Sequence, residues 1–146
     1  MKVKPPVYVV AALVAMLAAH MLIPIARIIS FPRNLLGVVP FLLGATIILQ
    51  AFRLFERNKT TTEPFGVPMT LVTSGPFHVT RNLMYVGILL MLSGIACLFG
   101  TMGPWIVVPV LGVVFDVIFV RQEEERMETM FGDAYKRYKA QVRRWI

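Results

Sequence analysis

Hydrophobic residues in this chain fall into long stretches separated by polar or turn-forming segments. The stretches are Val7–Ala26, Leu35–Phe52, Leu83–Phe99 and Trp105–Val120. A transmembrane α-helix needs roughly 20 apolar residues, so the first two are long enough to cross a bilayer. The last two are short, and they fit a span if their ends tilt or are buried in a helical bundle. The pattern predicts an all-α membrane protein with about four transmembrane helices.

A short turn separates the third and fourth apolar stretches. Its sequence is Gly100-Thr101-Met102-Gly103-Pro104, which is rich in turn-forming residues and long enough only for a tight helical hairpin. The start of the third stretch and the end of the fourth are therefore predicted to be neighbours on one side of the membrane.

Composition supports a membrane location. The chain has 146 residues, of which 57% are hydrophobic and 16% are charged, whereas soluble domains carry about 25% charged residues. A chain this short cannot bury so much apolar surface in one soluble core. We predict a single integral-membrane domain over residues 1–146. The lone cysteine, Cys97, excludes an internal disulfide, and no metal site is predicted.

The positive charges are distributed unevenly between the two sides of the membrane. In a four-span arrangement every Lys and Arg except Arg27 and Arg33 falls on the same side. The positive-inside rule then predicts that both termini and the long loop before the third stretch are cytoplasmic. The net charge of +7 is read as a patch facing membrane lipids. Nucleic-acid binding is not predicted, because it needs a basic groove with stacking aromatic residues.

Two polar segments lie on the predicted cytoplasmic side: the loop Glu56–Arg81, rich in turn-forming residues, and the tail Arg121–Ile146. Arg81 directly precedes the third stretch, and Glu123 to Glu125 directly follow the fourth. Because a hairpin joins these stretches, the opposite charges are predicted to lie close together. They can form a simple interfacial ion pair, or they can hold a zwitterionic ligand.

Sequence motifs stand on either side of the hairpin. Before it are Gly75-Pro76-Phe77 and Arg81-Asn82-Leu83-Met84-Tyr85-Val86-Gly87; after it are Glu123-Glu124, Phe131-Gly132, Tyr135 and Tyr138. In this order they resemble the signature of the isoprenylcysteine carboxyl methyltransferase and phospholipid methyltransferase superfamily. The resemblance covers residues 62–145.

The resemblance implies S-adenosylmethionine as the cofactor, bound on the cytoplasmic side between the loop and the helical tail. Arg81 and Glu124 match the superfamily's essential arginine and glutamate, and we treat them as candidate catalytic residues. The candidate cofactor-binding residues are Met69, Thr70, Leu71, Val72, Phe77, Asn82, Leu83, Met84, Tyr85 and Glu124. The sequence departs from the signature at Leu83, where the superfamily has proline, and at Asn82, where it commonly has histidine. Leucine can still start a helix but adds an N–H group, so the cofactor geometry at this turn is predicted to differ.

The expected reaction is in-line methyl transfer to a lipophilic small molecule or lipid that arrives from the membrane. The alternative acceptors are a prenylcysteine carboxylate, a phospholipid amine, a small thiol and another isoprenoid-like acid. A carboxylate or thiolate needs no strong base, whereas for an amine Glu124 is the nearest proton acceptor in the sequence.

A rival interpretation is a non-catalytic membrane scaffold or transporter component. Ionisable residues inside a membrane are costly and are often functional, and His20 and Asp116 are such residues. We favour a neutral His20 bonded to a neighbour. Asp116 either lines an acceptor tunnel or pairs within the bundle. Cofactor binding discriminates between the two interpretations.

Overall fold

The computed structural model is all-helical and describes residues 4–23, 25–60 and 68–146. Pro24 of the first apolar stretch and the loop residues 61–67 lie outside these ranges. The α-helices among the described residues are α1 (Pro5–Leu22), α2 (Val38–Arg57), α3 (Leu83–Phe99), α4 (Met102–Val114), α5 (Arg121–Phe131) and α6 (Asp133–Gln141). Short 3₁₀ helices cover Arg33–Gly37 and Gly75–His78, and a π-helical segment covers Phe115–Val120.

Helical stretches of the described chain are long and apolar enough to cross a membrane at Pro5–Leu22, Arg33–Arg57 and Met102–Phe131. The helix α3 is also apolar but shorter, at 17 residues. Many large apolar side chains on these helices point outward; Leu22, for example, is 79% exposed and Val14 is 62% exposed. Such surfaces suit contact with lipid rather than water. The protein is therefore a multi-pass membrane protein.

The first helix is shorter than its apolar stretch. The apolar stretch extends to Ala26 in the sequence, and it predicts a helix of the same extent. The helix α1 instead ends at Leu22, and Ile23 has φ −134° and ψ 63°. The next residue in the sequence is proline, and a residue before proline is pushed away from helical dihedrals. The prediction missed this boundary because it followed hydrophobicity alone.

The hairpin prediction is confirmed, but the turn is shorter than predicted, because α4 begins at Met102 and includes Gly103 and Pro104. The helix α3 runs from Leu83 to Phe99, and Gly100 ends it in the left-handed conformation with φ 72°. Glycine adopts such dihedrals without steric cost. The chain then enters α4, which continues through the π-helical segment into α5 as one helix of 30 residues. At about 1.5 Å per residue this helix is longer than the roughly 30 Å hydrocarbon core, so its charged end projects beyond the apolar layer.

The α2–α3 interface depends on close backbone contact at glycines. A Cβ atom added to Gly94 would lie 2.5 Å from the Gly37 carbonyl oxygen and 2.6 Å from the Phe41 nitrogen. A Cβ at Gly44 would likewise collide with the carbonyl oxygen of Gly87. Small residues let membrane helices approach closely and pack without a hydrophobic driving force.

Substitution of Gly94 by alanine is expected to lower the free energy of unfolding by about 1–3 kcal/mol, because the added methyl group forces the two helices apart. Gly112→Ala is the matched control. A Cβ at Gly112 would meet only the Leu89 side chain, at an ordinary distance of 3.5 Å. Thermal unfolding in detergent would measure both variants. Equal midpoints for the two variants would contradict this account of the interface.

The transmembrane helices pair in a way that leaves a groove. The helix α1 packs mainly against α4, and α2 packs mainly against α3. The buried core between α1, α3 and the α4–π segment contains Met16, Leu92, Phe115 and Phe119. On the other side, α1 and α2 face each other across α3, and the space between them opens into the cavity described below.

At the opposite end of the bundle, the segment after α1 contacts the α3–α4 turn. The Ile28 N–H donates to the Gly100 carbonyl at 2.8 Å, and the Met102 N–H donates to the Ala26 carbonyl at 2.9 Å. His20 lies nearby: its Nδ1 is 2.9 Å from Thr101 Oγ1, and its ring stacks on Phe99. The preference for a His20 bonded to a neighbour agrees with this geometry.

Candidate functional site

A cavity of about 640 Å³ lies where the long loop, the tail and the transmembrane helices meet. This volume is within the range of about 300–1,000 Å³ that is typical of small-molecule sites. Most of the predicted site residues line it: Thr70, Leu71, Val72, Phe77, Arg81, Asn82, Leu83, Met84, Tyr85 and Glu124.

Met69 is placed differently from the other predicted cofactor residues. It is 81% exposed and does not line the cavity. Its N–H donates to the Thr60 hydroxyl at 3.2 Å, which ties the described end of the loop to the end of α2. A role for Met69 in cofactor binding stays a prediction.

The two candidate catalytic residues form a buried ion pair. Arg81 Nη1 lies 2.9 Å from Glu124 Oε1, and both side chains are less than 10% exposed. The α3–α4 hairpin explains the contact, since Arg81 precedes α3 and Glu124 lies in the first turn of α5. A buried pair is costly to desolvate, so its presence here is weak evidence for stability and suits a functional role.

A second arginine holds the same carboxylate. Arg144 Nε donates to Glu124 Oε1 at 3.1 Å, and Arg144 Nη2 donates to Oε2 at 2.8 Å. This two-point geometry is the strong form of an arginine–carboxylate contact. It raises the pKa of Arg144 and keeps its guanidinium charged. Both oxygens of Glu124 are therefore occupied by guanidinium groups.

The guanidinium group of Arg81 has hydrogen-bond donors that no described residue uses. Within the described part of the chain, neither its Nε nor its Nη1 has a hydrogen-bond partner, although both are buried; the Nη1–Glu124 contact is close but not aligned as a hydrogen bond. A buried donor left unsatisfied costs about 1–3 kcal/mol or more. These donors therefore suit an anionic group that enters the cavity.

The residues Arg143, Arg144 and Trp145, which we call the C-terminal strap, lie across the start of α3. The Arg81 N–H donates to the Arg143 carbonyl at 3.0 Å. The Arg144 carbonyl accepts hydrogen bonds from Thr80 Oγ1 at 3.0 Å and from Asn82 Nδ2 at 2.9 Å. Asn82, a predicted cofactor residue, thus also anchors the strap.

The strap is also held by Asp116 at the start of the π-helical segment. Asp116 Oδ1 accepts a hydrogen bond from Trp145 Nε1 at 3.1 Å and lies 3.4 Å from Arg144 Nη1. Its Oδ2 pairs with Arg121 Nε at 3.2 Å. Of the two interpretations of Asp116, pairing fits the structure, and Asp116 does not line the cavity.

The helix α6 closes the cavity with buried tyrosines. The Tyr138 hydroxyl donates to the Phe77 carbonyl at 2.7 Å, which fastens the tail to the loop. Burial raises the pKa of Tyr138 to about 12 and raises the pKa of Tyr135. Both hydroxyls therefore stay protonated near neutral pH.

Glu123 lies in different surroundings from Glu124, although the two are adjacent. It lines the cavity, and its Oε1 accepts a hydrogen bond from the Tyr85 hydroxyl at 3.0 Å. Tyr85 is itself fixed by ring contacts with Phe115 and Phe119. The sequence motif marks Glu123 only as the acidic neighbour of Glu124.

The comparisons with known proteins identify the family. The phospholipid methyltransferase family matches residues 32–134, which is more than half of the chain, and the chain belongs to this family. Membership implies a membrane methyltransferase that uses S-adenosylmethionine. A protein of Haemophilus influenzae described only as uncharacterized is 36% identical over 63 residues, which are 43% of this chain and all of that relative. No solved structure matches the chain.

Leu83, which replaces the proline of the superfamily signature, has a packing role in this chain. It is 4% exposed and belongs to an apolar cluster with Ala51, Val72 and Phe77. Leucine therefore joins α2, the loop and α3 next to the cavity. This contact holds the predicted cofactor residues Val72 and Phe77 in place.

Proposed function

We propose that this protein transfers the methyl group of S-adenosylmethionine to a lipophilic acceptor that enters the site from the membrane. The observation that carries the proposal is a single cavity that contains the Arg81–Glu124 pair at one end and the apolar groove between α1 and α2 at the other. Such a cavity gives a polar cofactor and a lipid-soluble acceptor access to the same space.

The residues of the polar end fit the proposed cofactor. The spare donors of Arg81 suit the carboxylate of its amino-acid part, and the remaining lone pairs of the Glu124 carboxylate can accept from hydroxyl or ammonium groups. Phe77, Leu71 and Val72 offer apolar surface at the cavity wall. When bound there, the cofactor supplies an electrophilic methyl group on a positively charged sulfur.

The apolar end fits a membrane-embedded acceptor. Val9, Val10 and Leu13 line it from α1, and Ile48 and Phe52 line it from α2. The floor comes from α3, through Ile88, Met91, Leu92 and Ile95. These residues contribute to the reaction by positioning the acceptor against the methyl donor. Holding two reactants in the correct orientation removes much of the entropic part of the activation barrier.

The proposed membrane arrangement has four spans, with α3 as the short one packed against α2. Both termini, the long loop and the polar end of the cavity are then cytoplasmic. The distribution of Lys and Arg supports this orientation.

The superfamily resemblance suggests a prenylcysteine carboxylate as the acceptor, with a phospholipid amine or a small thiol as alternatives. The long apolar groove favours the two lipid-linked acceptors over a small thiol. The non-catalytic alternative, a membrane scaffold or transporter component, predicts no cofactor binding.

Isothermal calorimetry of the detergent-purified protein with S-adenosylhomocysteine tests the proposal. We expect saturable binding at micromolar concentration, and transfer of labelled methyl groups into added membrane lipid extract. Absence of both signals from a well-folded preparation would favour the non-catalytic alternative. Binding without any methylated lipid product would contradict the lipophilic acceptor.

A further inference from the structure

Two arginines share the carboxylate of Glu124, but they bind it in different ways. Arg144 makes a two-point contact, with Nε 3.1 Å from Oε1 and Nη2 2.8 Å from Oε2. Arg81 reaches Oε1 alone, through Nη1 at 2.9 Å. Within the described part of the chain, neither Nη1 nor Nε of Arg81 makes a hydrogen bond. The arginine that lines the cavity is therefore the one that keeps unused donors.

The geometry of a carboxylate explains this division. Two parallel N–H···O bonds form along the one edge where both oxygens can accept from the same guanidinium group. Arg144 fills this edge of Glu124, so a second guanidinium group can reach one oxygen but cannot form the same fork. If the edge were free, Arg81 would be expected to occupy it, because buried donors without a partner are costly. Arg144 thus keeps Arg81 from using its donors on Glu124.

The C-terminal strap fixes Arg144 in this position from outside the cavity. Arg144 does not line the cavity, and its side chain is 36% exposed. Its carbonyl accepts hydrogen bonds from Thr80 and Asn82, and its Nη1 lies 3.4 Å from Asp116 Oδ1. Backbone and side chain are therefore both anchored. Any effect of Arg144 on a ligand in the cavity is indirect.

We propose that Arg144 is a positioning residue for the cofactor site, which holds both oxygens of Glu124 and thereby leaves Nε and Nη1 of Arg81 free for the carboxylate of the cofactor. The inference rests on the proposed function and extends it to a residue outside the cavity. Without the Arg144 side chain, Glu124 and Arg81 are expected to form the two-point contact with each other. The cofactor carboxylate would then have to break that contact before it could bind.

The test compares two ligands by calorimetry on the 146-residue chain purified in detergent. S-adenosylhomocysteine carries the amino-acid part of the cofactor, whereas 5′-methylthioadenosine keeps the adenosine and the sulfur but has no carboxylate. Arg144→Ala is expected to weaken S-adenosylhomocysteine binding about tenfold or more, the effect of one charge-assisted hydrogen bond. It is expected to leave 5′-methylthioadenosine binding unchanged. The strap should stay in place, because alanine keeps the carbonyl that Thr80 and Asn82 bind.

Two further variants separate geometry from charge. Arg144→Lys keeps the positive charge beside Glu124, but an ammonium group is not a planar fork. It is expected to show the same selective loss of S-adenosylhomocysteine binding, smaller than in the alanine variant. Arg121→Ala is the matched control, since Arg121 also pairs with Asp116, at 3.2 Å, and does not line the cavity. It is expected to bind both ligands as wild type does.

The outcomes separate this inference from the proposed function. Equal weakening of both ligands in Arg144→Ala would overturn it, since Arg144 would then only support the wall of the site. Wild-type affinities in Arg144→Ala would also overturn it, and so would wild-type affinities in Arg144→Lys, because charge alone would then explain the effect. If the alanine variant does not fold, the lysine variant decides between the same two results. If wild type binds neither ligand, the proposed function itself fails.

Discussion

Replacement of Arg81 by alanine is expected to weaken S-adenosylhomocysteine binding by about 100-fold or more, because each charge-assisted hydrogen bond contributes about 1.5–3 kcal/mol. Arg81 offers at least two buried donors, Nε and Nη1, that have no hydrogen-bond partner within the described chain. The fold should survive the change, since Arg144 still pairs with Glu124. Calorimetry of the variant beside wild type would measure the loss.

Arg143→Ala is the matched control for this experiment. Arg143 is an exposed arginine of the C-terminal strap, and its backbone carbonyl accepts the hydrogen bond from the Arg81 N–H. The alanine variant keeps that carbonyl, so its affinity should stay near the wild-type value. If both variants bind equally well, Arg81 does not hold the cofactor carboxylate.

Replacement of Glu124 by alanine is expected to be the most destabilising single change at the site. It leaves the buried Arg81 without its counter-charge and removes both hydrogen bonds of the Arg144 guanidinium to Glu124. Removing one partner of a buried ion pair typically costs about 3–5 kcal/mol. We therefore expect a clear fall in the thermal midpoint in detergent and the loss of S-adenosylhomocysteine binding.

The control for Glu124 is an exposed ion pair in the same tail. Glu128 lies 3.2 Å from Lys139, and both side chains are more than a third exposed. Such pairs contribute about 0–1 kcal/mol, so Glu128→Ala should shift the midpoint little. A Glu124→Ala protein as stable as Glu128→Ala would mean that the pair with Arg81 does not hold the tail against the bundle.

Local sequence signals were enough to predict the helical hairpin and the charged residues that it brings together. Hydrophobicity and the Gly100 turn gave α3 its observed ends. Once the hairpin was assigned, chain geometry brought Arg81 close to Glu123 to Glu125, and the superfamily resemblance singled out Glu124. The cavity residues of the loop, such as Val72 and Phe77, were predicted only through that resemblance.

Contacts between segments that are distant in the sequence could not be predicted in the same way. Several arginines follow α4 in the sequence, and no periodic pattern shows that Arg144 is the one that reaches Glu124. The choice depends on where α6 ends and on the hydrogen bonds that Thr80 and Asn82 make with the strap. The different environments of Glu123 and Glu124 also depend on packing, because the Tyr85 ring faces only one of them.

The C-terminal strap separates two events during synthesis of the protein. Thr80 and Asn82 bind a carbonyl group 64 and 62 residues further along the chain. A ribosome therefore completes α3 and α4, and these helices can enter the bilayer, before the strap has left the exit tunnel. Until then the wall beside Arg81 is missing. Insertion into the membrane can thus finish before the proposed cofactor site is complete, and the wall beside Arg81 forms only when the tail folds back.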